Sequence, residues 1–250
     1  MPKLLLPRRY TEDSILLWKA AIESGWETER LFSYDMPAHL RESKDLVFYG
    51  ETVMADAATQ QLNFALIEPP DNWLPSLPSS YRLRSVELTT YVEACVESGP
   101  LFFKPANDKM FPAGVRASGK ELLYFNVEPT SPVLVSEAVD FRVEYRCFVL
   151  DQEIETLAPY NGEEEPEDRS HARAFLQDFL RDPYVQLPPA VVVDVGYIRG
   201  RGWAVVEANP CWASGIYTCH PHSVLKVLQR ASVWDRSIVD EKWLRYRVLL

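Results

Sequence analysis

Apolar positions recur along the chain in short bursts separated by turn residues, and the period of each burst sets the element it predicts. An apolar strand is expected around residues 3–6, followed by a helix over about residues 12–24 with Thr11 as N-cap, acidic residues in its first turn and Gly25 just past its end. Apolar runs at residues 46–49 and 64–67 bracket a helical segment near 54–62, the alternation of a small parallel sheet. Residues 68–78 are rich in Pro, Asn and Ser, which predicts a connector outside the core. The expected organisation is therefore an α/β subdomain over residues 1–80 and a second domain over residues 81–250.

In the second part the pattern predicts a short helix near 88–98 and strands ending at Lys104, near 122–127 and near 133–138. A β pair at 144–150 and 153–157 comes next, and GEEEPEDRS reads as a solvated loop before a helix with Phe175, Leu176, Phe179 and Leu180 on its apolar face. Strands at 190–197 and 203–208, joined by Arg199-Gly200-Arg201-Gly202, form a hairpin, and a last helix covers about 222–230. No internal repeat interrupts this order.

Composition narrows the class. With 250 residues, 47% of them hydrophobic, the chain can bury a sizeable core. No run approaches the roughly 18 apolar residues of a membrane span, and MPKLLLPRRY is closed too early by Pro7 and two arginines for a signal peptide, so a cytoplasmic protein is expected. Cys95, Cys147, Cys211 and Cys219 form no CxxC pair and are expected to be reduced thiols. A formal net charge of −10 argues against nucleic acid and anionic membranes as partners.

The candidate chemistry lies at strand ends. Glu207 and Asn209 close the run WAVVEANP, and Asp194 stands thirteen residues before Glu207 in VVVDVG. Two or three oxygen side chains beside an open space suffice for magnesium, which keeps waters and bridges substrate phosphates. Lys104 ends an apolar strand in LFFKPANDKMFPAGV, with Lys109 and Gly114 in the loop that follows. They read as phosphate-binding lysines under a flap, or as lysines snorkelling at a sheet end. Glu137 and Glu144 flank a turn in which the backbone of Ala138, Val139 and Asp140 can pair with an adenine edge while Glu144 accepts from ribose hydroxyls. Arg146, two positions on, shares the Glu144 face. Surface charge on a twisted hairpin is the alternative for that fragment.

The order of strand lysine, glycine flap, hinge glutamate, second glutamate seven residues later, and aspartate thirteen before Glu-x-Asn resembles the ATP-grasp family over roughly residues 88–230. KPANDKMFPAGV and EANPCWASGIY look most similar to an uncharacterised bacterial and phage-associated clade of it. The resemblance implies an α/β fold of two lobes clasping ATP, preceded by a small Rossmann-like subdomain. It puts Lys104 and Lys109 on the phosphates, Glu137, Ala138, Val139 and Asp140 on adenine, and Glu144 on ribose. Asp194, Glu207 and Asn209 would hold Mg2+, and Arg146 would neutralise the transferring phosphate.

The implied activity is an ADP-forming ligase that makes an acylphosphate on a carboxylate-bearing small molecule or peptide and joins it to an amine acceptor. The alternatives are a weakly active ATP-binding regulatory module and a small-molecule kinase. Two departures bear on activity: Val192 stands where some members carry an arginine, and the flap carries Phe111 and Pro112 instead of glycines. Arg8, Arg9 and the helix start at Thr11 to Ser14 could attract the substrate carboxylate, while Ser214 and Gly215 follow the metal asparagine more closely. Cys219, His220 and His222 are given no chemistry, and Trp203, Trp212 and Phe175 fit a core or cleft wall. The tail from residue 234 reads as a docking helix or as a contact in a homodimer.

Overall fold

In the computed structural model the described residues are 1–106 and 110–245. The chain starts with β1 (Lys3–Pro7), α1 (Glu12–Glu23), β2 (Glu27–Leu31) and β3 (Leu46–Phe48), a parallel sheet in the order β2-β1-β3. Thr11 caps α1 as expected: Ser14 N donates to Thr11 Oγ1 at 3.1 Å and Thr11 N donates to Ser14 Oγ at 3.0 Å. The strand β2 was not expected, because ETERL has one apolar residue. It lies at the sheet edge, where Lys3 pairs with Glu27 at 3.0 Å and Glu29 at 3.6 Å.

After α2 (Thr52–Gln61), β4 (Ala65–Leu66) leaves the parallel sheet and pairs antiparallel with a strand near the C-terminus. The connector at 68–78 is also corrected. There α3 (Trp73–Ser76) buries Trp73 and Leu74, with Leu77 buried beside it, and Trp73 Nε1 donates to the Gln186 carbonyl at 2.7 Å. One satisfied indole lets a Pro-rich segment pack into the core.

A short α4 (Ser79–Arg82) leads into β5 (Val86–Thr90), α5 (Tyr91–Ala94), β6 (Ser98–Pro105), β7 (Gly114–Ser118) and β8 (Pro132–Glu137). The four strands form a small antiparallel sheet, β5-β8-β6-β7, over a core of Tyr91, Phe103, Phe111 and Leu122. The helix expected at 88–98 is mostly strand: Leu88, Thr89 and Thr90 pair with Leu134, Val133 and Pro132, and only one helical turn follows, capped by Thr90. The strand expected at 122–127 is replaced by a 3-10 turn, Gly119–Tyr124, that buries Leu122 and exposes Leu123 and Tyr124. Gly119 is required there, because a Cβ would run into the Ala94 carbonyl.

The large antiparallel sheet, β10-β9-β11-β12, is built from β9 (Phe141–Leu150), β10 (Glu153–Gly162), β11 (Ala190–Ile198) and β12 (Gly202–Asn209), with α6 (Asp168–Arg181) between β10 and β11. Asp151 and Gln152, both at positive φ, make the tight turn between β9 and β10. Next, α7 (Pro221–Ala231) buries Val224, Leu225, Val227 and Leu228. Finally β13 (Ser232–Val233) supplies the partner of β4. The tail therefore returns to the first part of the chain, with Trp243 and Leu244 buried in the main core. All four cysteines are buried and free. Among the described residues no helix is long and apolar enough to cross a membrane.

Candidate active site

The central strand β11 is an apolar run, AVVVDVGYI, buried along almost its whole length, and its single charge, Asp194, is fully buried. Register decides what Asp194 meets: it lies opposite Arg146 of β9 on one side and Glu207 of β12 on the other. Cross-strand partners share a face, so the three side chains emerge together. Asn209, two residues after Glu207, emerges beside them.

Arg146 grips Asp194 with two bonds, Nε to Oδ1 at 3.0 Å and Nη2 to Oδ2 at 2.6 Å, and its Nη1 donates to the Gly215 carbonyl at 3.0 Å. Burial pushes the Asp194 carboxyl up to about 6, against the pull of the guanidinium. Asn209 Nδ2 bridges the two carboxylates, 2.7 Å from Glu207 Oε1 and 3.3 Å from Asp194 Oδ2. Lys104, at the end of β6, crosses from the small sheet to pair with Glu207. Burial disfavours the Glu207 carboxylate, but Lys104 and Asn209 outweigh it and hold the group below its usual range.

Two carboxylates and an amide thus converge where two cationic groups neutralise them, the donor set a hard divalent cation uses. Asp194 and Glu207 would hold Mg2+ through oxygens, with Asn209 presenting its amide oxygen after the side chain turns. Among the described residues no group of three or more His, Cys, Asp or Glu offers another metal site.

Glu144 lies on the same face of β9 as Arg146, its carboxylate held by Tyr160 Oη and Asn161 Nδ2, both at 2.6 Å. Glu137 and Asp140 are drawn elsewhere. The turn after β11 pins both: Arg201 is bidentate on Glu137 at 2.9 and 2.5 Å, and Arg199 pairs with Asp140 at 2.7 Å. The link through Ala138 and Val139 is therefore held at both ends. Lys109 lies outside the described residues. Val192 is buried opposite Phe148 and Asn209, one strand from Arg146.

Several residues near the site carried no signal in the sequence. Arg84 reaches from before β5 to the carbonyls of Val205 and Val206 at 2.8 and 2.7 Å, where burial and then Arg82 lower its pKa to about 10 while Glu207, Glu144 and Glu137 pull upward. The rings of Tyr160 and Tyr217 stack with centroids 5.2 Å apart, and the Arg146 guanidinium lies 5.2 and 5.0 Å from them. Tyr217 holds its position on a left-handed backbone, φ 48°. The clue available for Tyr217 was its place in EANPCWASGIY.

A cleft of about 810 Å³ opens beside this pair, lined by Glu12, Asp13, Tyr160, Glu164, Gly215 and Tyr217 among others. This corrects the expected carboxylate subsite. Arg8 and Arg9 are exposed and do not line the cleft, and the start of α1 presents Glu12 and Asp13 to it. Ser214 Oγ is spent on the Pro210 carbonyl at 2.8 Å.

The fold is shared with known proteins. A RimK-domain ATP-grasp protein from Sphaerobacter thermophilus superposes with a TM-score of 0.56 at 15% identity, covering 92% of this chain and 98% of its own. N5-carboxyaminoimidazole synthetase from Staphylococcus aureus gives 0.57 at 10% identity, over 93% and 78%. D-alanine–D-alanine ligase from Bacillus anthracis gives 0.50 at 11%, over 92% and 97%. These likenesses establish the fold. No curated protein matches the sequence significantly. A family model of the ATP-grasp domain, the second family of its clade, matches residues 81–227, well over half of the chain, and the chain belongs to that ATP-grasp family.

Proposed function

We propose that the protein is an ATP-dependent, ADP-forming ligase acting on a carboxylate and an amine, in a cytoplasmic setting. The observation that carries this reading is the convergence of Lys104, Arg146, Asp194, Glu207 and Asn209 from two sheets on one point. In this reading residues 1–80 form the preceding subdomain and residues 81–250 clasp the nucleotide. Lys104 and Lys109 bind phosphates, Glu144 and the segment from Glu137 to Asp140 hold the nucleoside, and Asp194, Glu207 and Asn209 hold Mg2+, whose charge would draw the phosphate oxygens into line.

The terminal phosphoryl group passes to a carboxylate oxygen and ADP leaves. The amine nitrogen then bonds to the acyl carbon as the bond to phosphate breaks, and the amine proton goes to solvent. Such transfer needs placement and charge neutralisation more than covalent help, which suits lysines, an arginine and a metal. Arg146, beside Asp194, is positioned to supply the charge that an arginine at Val192 would supply elsewhere.

The test is thermal stability with ATP, with and without magnesium. Nucleotide at about 100 times its dissociation constant adds roughly 2.7 kcal/mol, or roughly 5–10 °C for a chain of this size. The rise is expected only with magnesium and is lost in Glu207→Ala; no rise in the native protein would overturn the reading. A second reading, a binding module with little turnover, is favoured by the two ion pairs that close the cluster on itself. Magnesium-dependent binding without ADP release across carboxylate and amine mixtures would select it. A stable phosphorylated product would mark a kinase.

A further inference from the structure

We propose that the cleft beside Arg146 is the acceptor end of the site and selects a cationic acceptor, an amine carried on a molecule with a second protonated nitrogen. The inference rests on the ligase reading and names the substrate class that reading leaves open. The cleft adjoins the reacting centre through Gly215, whose carbonyl accepts from Arg146, and through Tyr160 and Tyr217, which flank the guanidinium.

Its charge has one sign. Glu12, Asp13 and Glu164 line the cleft, and no lysine or arginine does among the described residues. Glu12 and Asp13 also suit the first turn of α1, but Glu164 follows β10 and belongs to a separate element. Asp13 is fixed as an acceptor by Tyr49 Oη and Ile216 N, each 3.1 Å from Oδ2. Glu164 Oε1 is fixed by Tyr145 Oη at 2.7 Å. Such a wall repels a carboxylate and draws in an ammonium group, and the half-exposed ring of Tyr217 offers a face on which a cation gains further. At about 810 Å³ the cleft has room for a small molecule or the end of a peptide side chain.

The experiment is a calorimetric titration of the full chain, free and loaded with magnesium and a non-hydrolysable ATP analogue. The probes are 1,4-diaminobutane, 1,4-butanediol and glutarate, matched in length and differing in charge. The diamine is expected to bind, with affinity falling as salt is raised, and the diol and glutarate are not. Glu12→Gln/Glu164→Gln, which keeps both acceptor oxygens and alters exposed residues, should weaken diamine binding at least tenfold. Glutarate binding as tightly as the diamine, diamine binding retained in the variant, or no binding of any probe would each overturn the proposal. The nucleotide titration reports separately. If the analogue fails to bind while the diamine still binds and the variant still loses it, the ligase reading falls and the cationic pocket stands.

Discussion

Lys104 determines what the candidate site can bind. Its ammonium sits on Glu207, so a divalent cation and the lysine compete for one carboxylate. In the proposed function phosphate draws the lysine away as the cation arrives, which couples the two ligands. Lys104→Met should therefore tighten binding of Mn2+ as a probe in the absence of nucleotide, and weaken ATP binding at least tenfold. Titrations with each ligand alone decide it, and weaker Mn2+ binding in the variant would contradict the competition. The four residues of this centre were legible in the sequence because strand period and spacing constrain them: Asp194 interrupts an apolar run, and Glu207 and Asn209 share a face by alternation. Tyr160, Tyr217 and Arg84 were not, since their places depend on a bulge, a left-handed backbone and a long side chain crossing between sheets.

Elements are held beside the site by pairs of unequal worth. Arg142 of β9 grips Asp168 at the start of α6 with bonds of 2.8 and 2.6 Å, and both side chains are at least nine-tenths buried. Breaking one partner of such a pair costs about 3–5 kcal/mol, so Asp168→Asn should lower stability to urea by about that much at neutral pH. The pH dependence has a definite sign. Arg142 holds the Asp168 carboxyl below its usual value, so the stabilisation is complete above the unfolded value of about 3.9 and is lost as pH falls through the lower folded value. Native and variant curves should converge there.

The turn arginines that pin the hinge are different, because Arg201 and Glu137 are about two-fifths exposed. Arg201→Ala should cost less than about 1 kcal/mol. Sequence pattern found the elements that advertise themselves locally, such as α1 through its cap and the β11–β12 hairpin through its glycines. It missed β2, whose charge hides its strand, and α3, whose burial is decided by Trp73 meeting distant residues.

At the scale of the molecule, the tail ties the two ends of the chain together. Leu244 bridges to Ile67, β13 pairs with β4, and Arg245 donates to the Leu66 carbonyl at 2.8 Å by nothing more than its backbone N. The Arg245 side chain, 5% exposed, pairs with Asp56 at 2.8 Å and Glu68 at 2.6 Å, and its guanidinium lies 5.2 Å from the Trp212 ring. Trp212 follows Asn209 by three residues and donates to the Ile67 carbonyl at 2.8 Å, so the exit of the candidate metal strand is braced against the first part of the chain. No local pattern in residues 234–245 announces this, because each contact partner lies far away in sequence. Arg245→Met leaves two acidic groups without that cation, and a loss of about 3 kcal/mol is expected, roughly 6–12 °C in melting temperature. The bracing predicts that the whole chain still melts in one transition and that the magnesium·ATP shift moves with it. The segment 1–80 expressed alone, deprived of β13, Trp212 and Arg245, should show no cooperative melt by circular dichroism. A cooperative melt of that fragment, or two transitions in the variant with the nucleotide shift confined to one, would mean that the subdomain folds independently and the tail is only its cover.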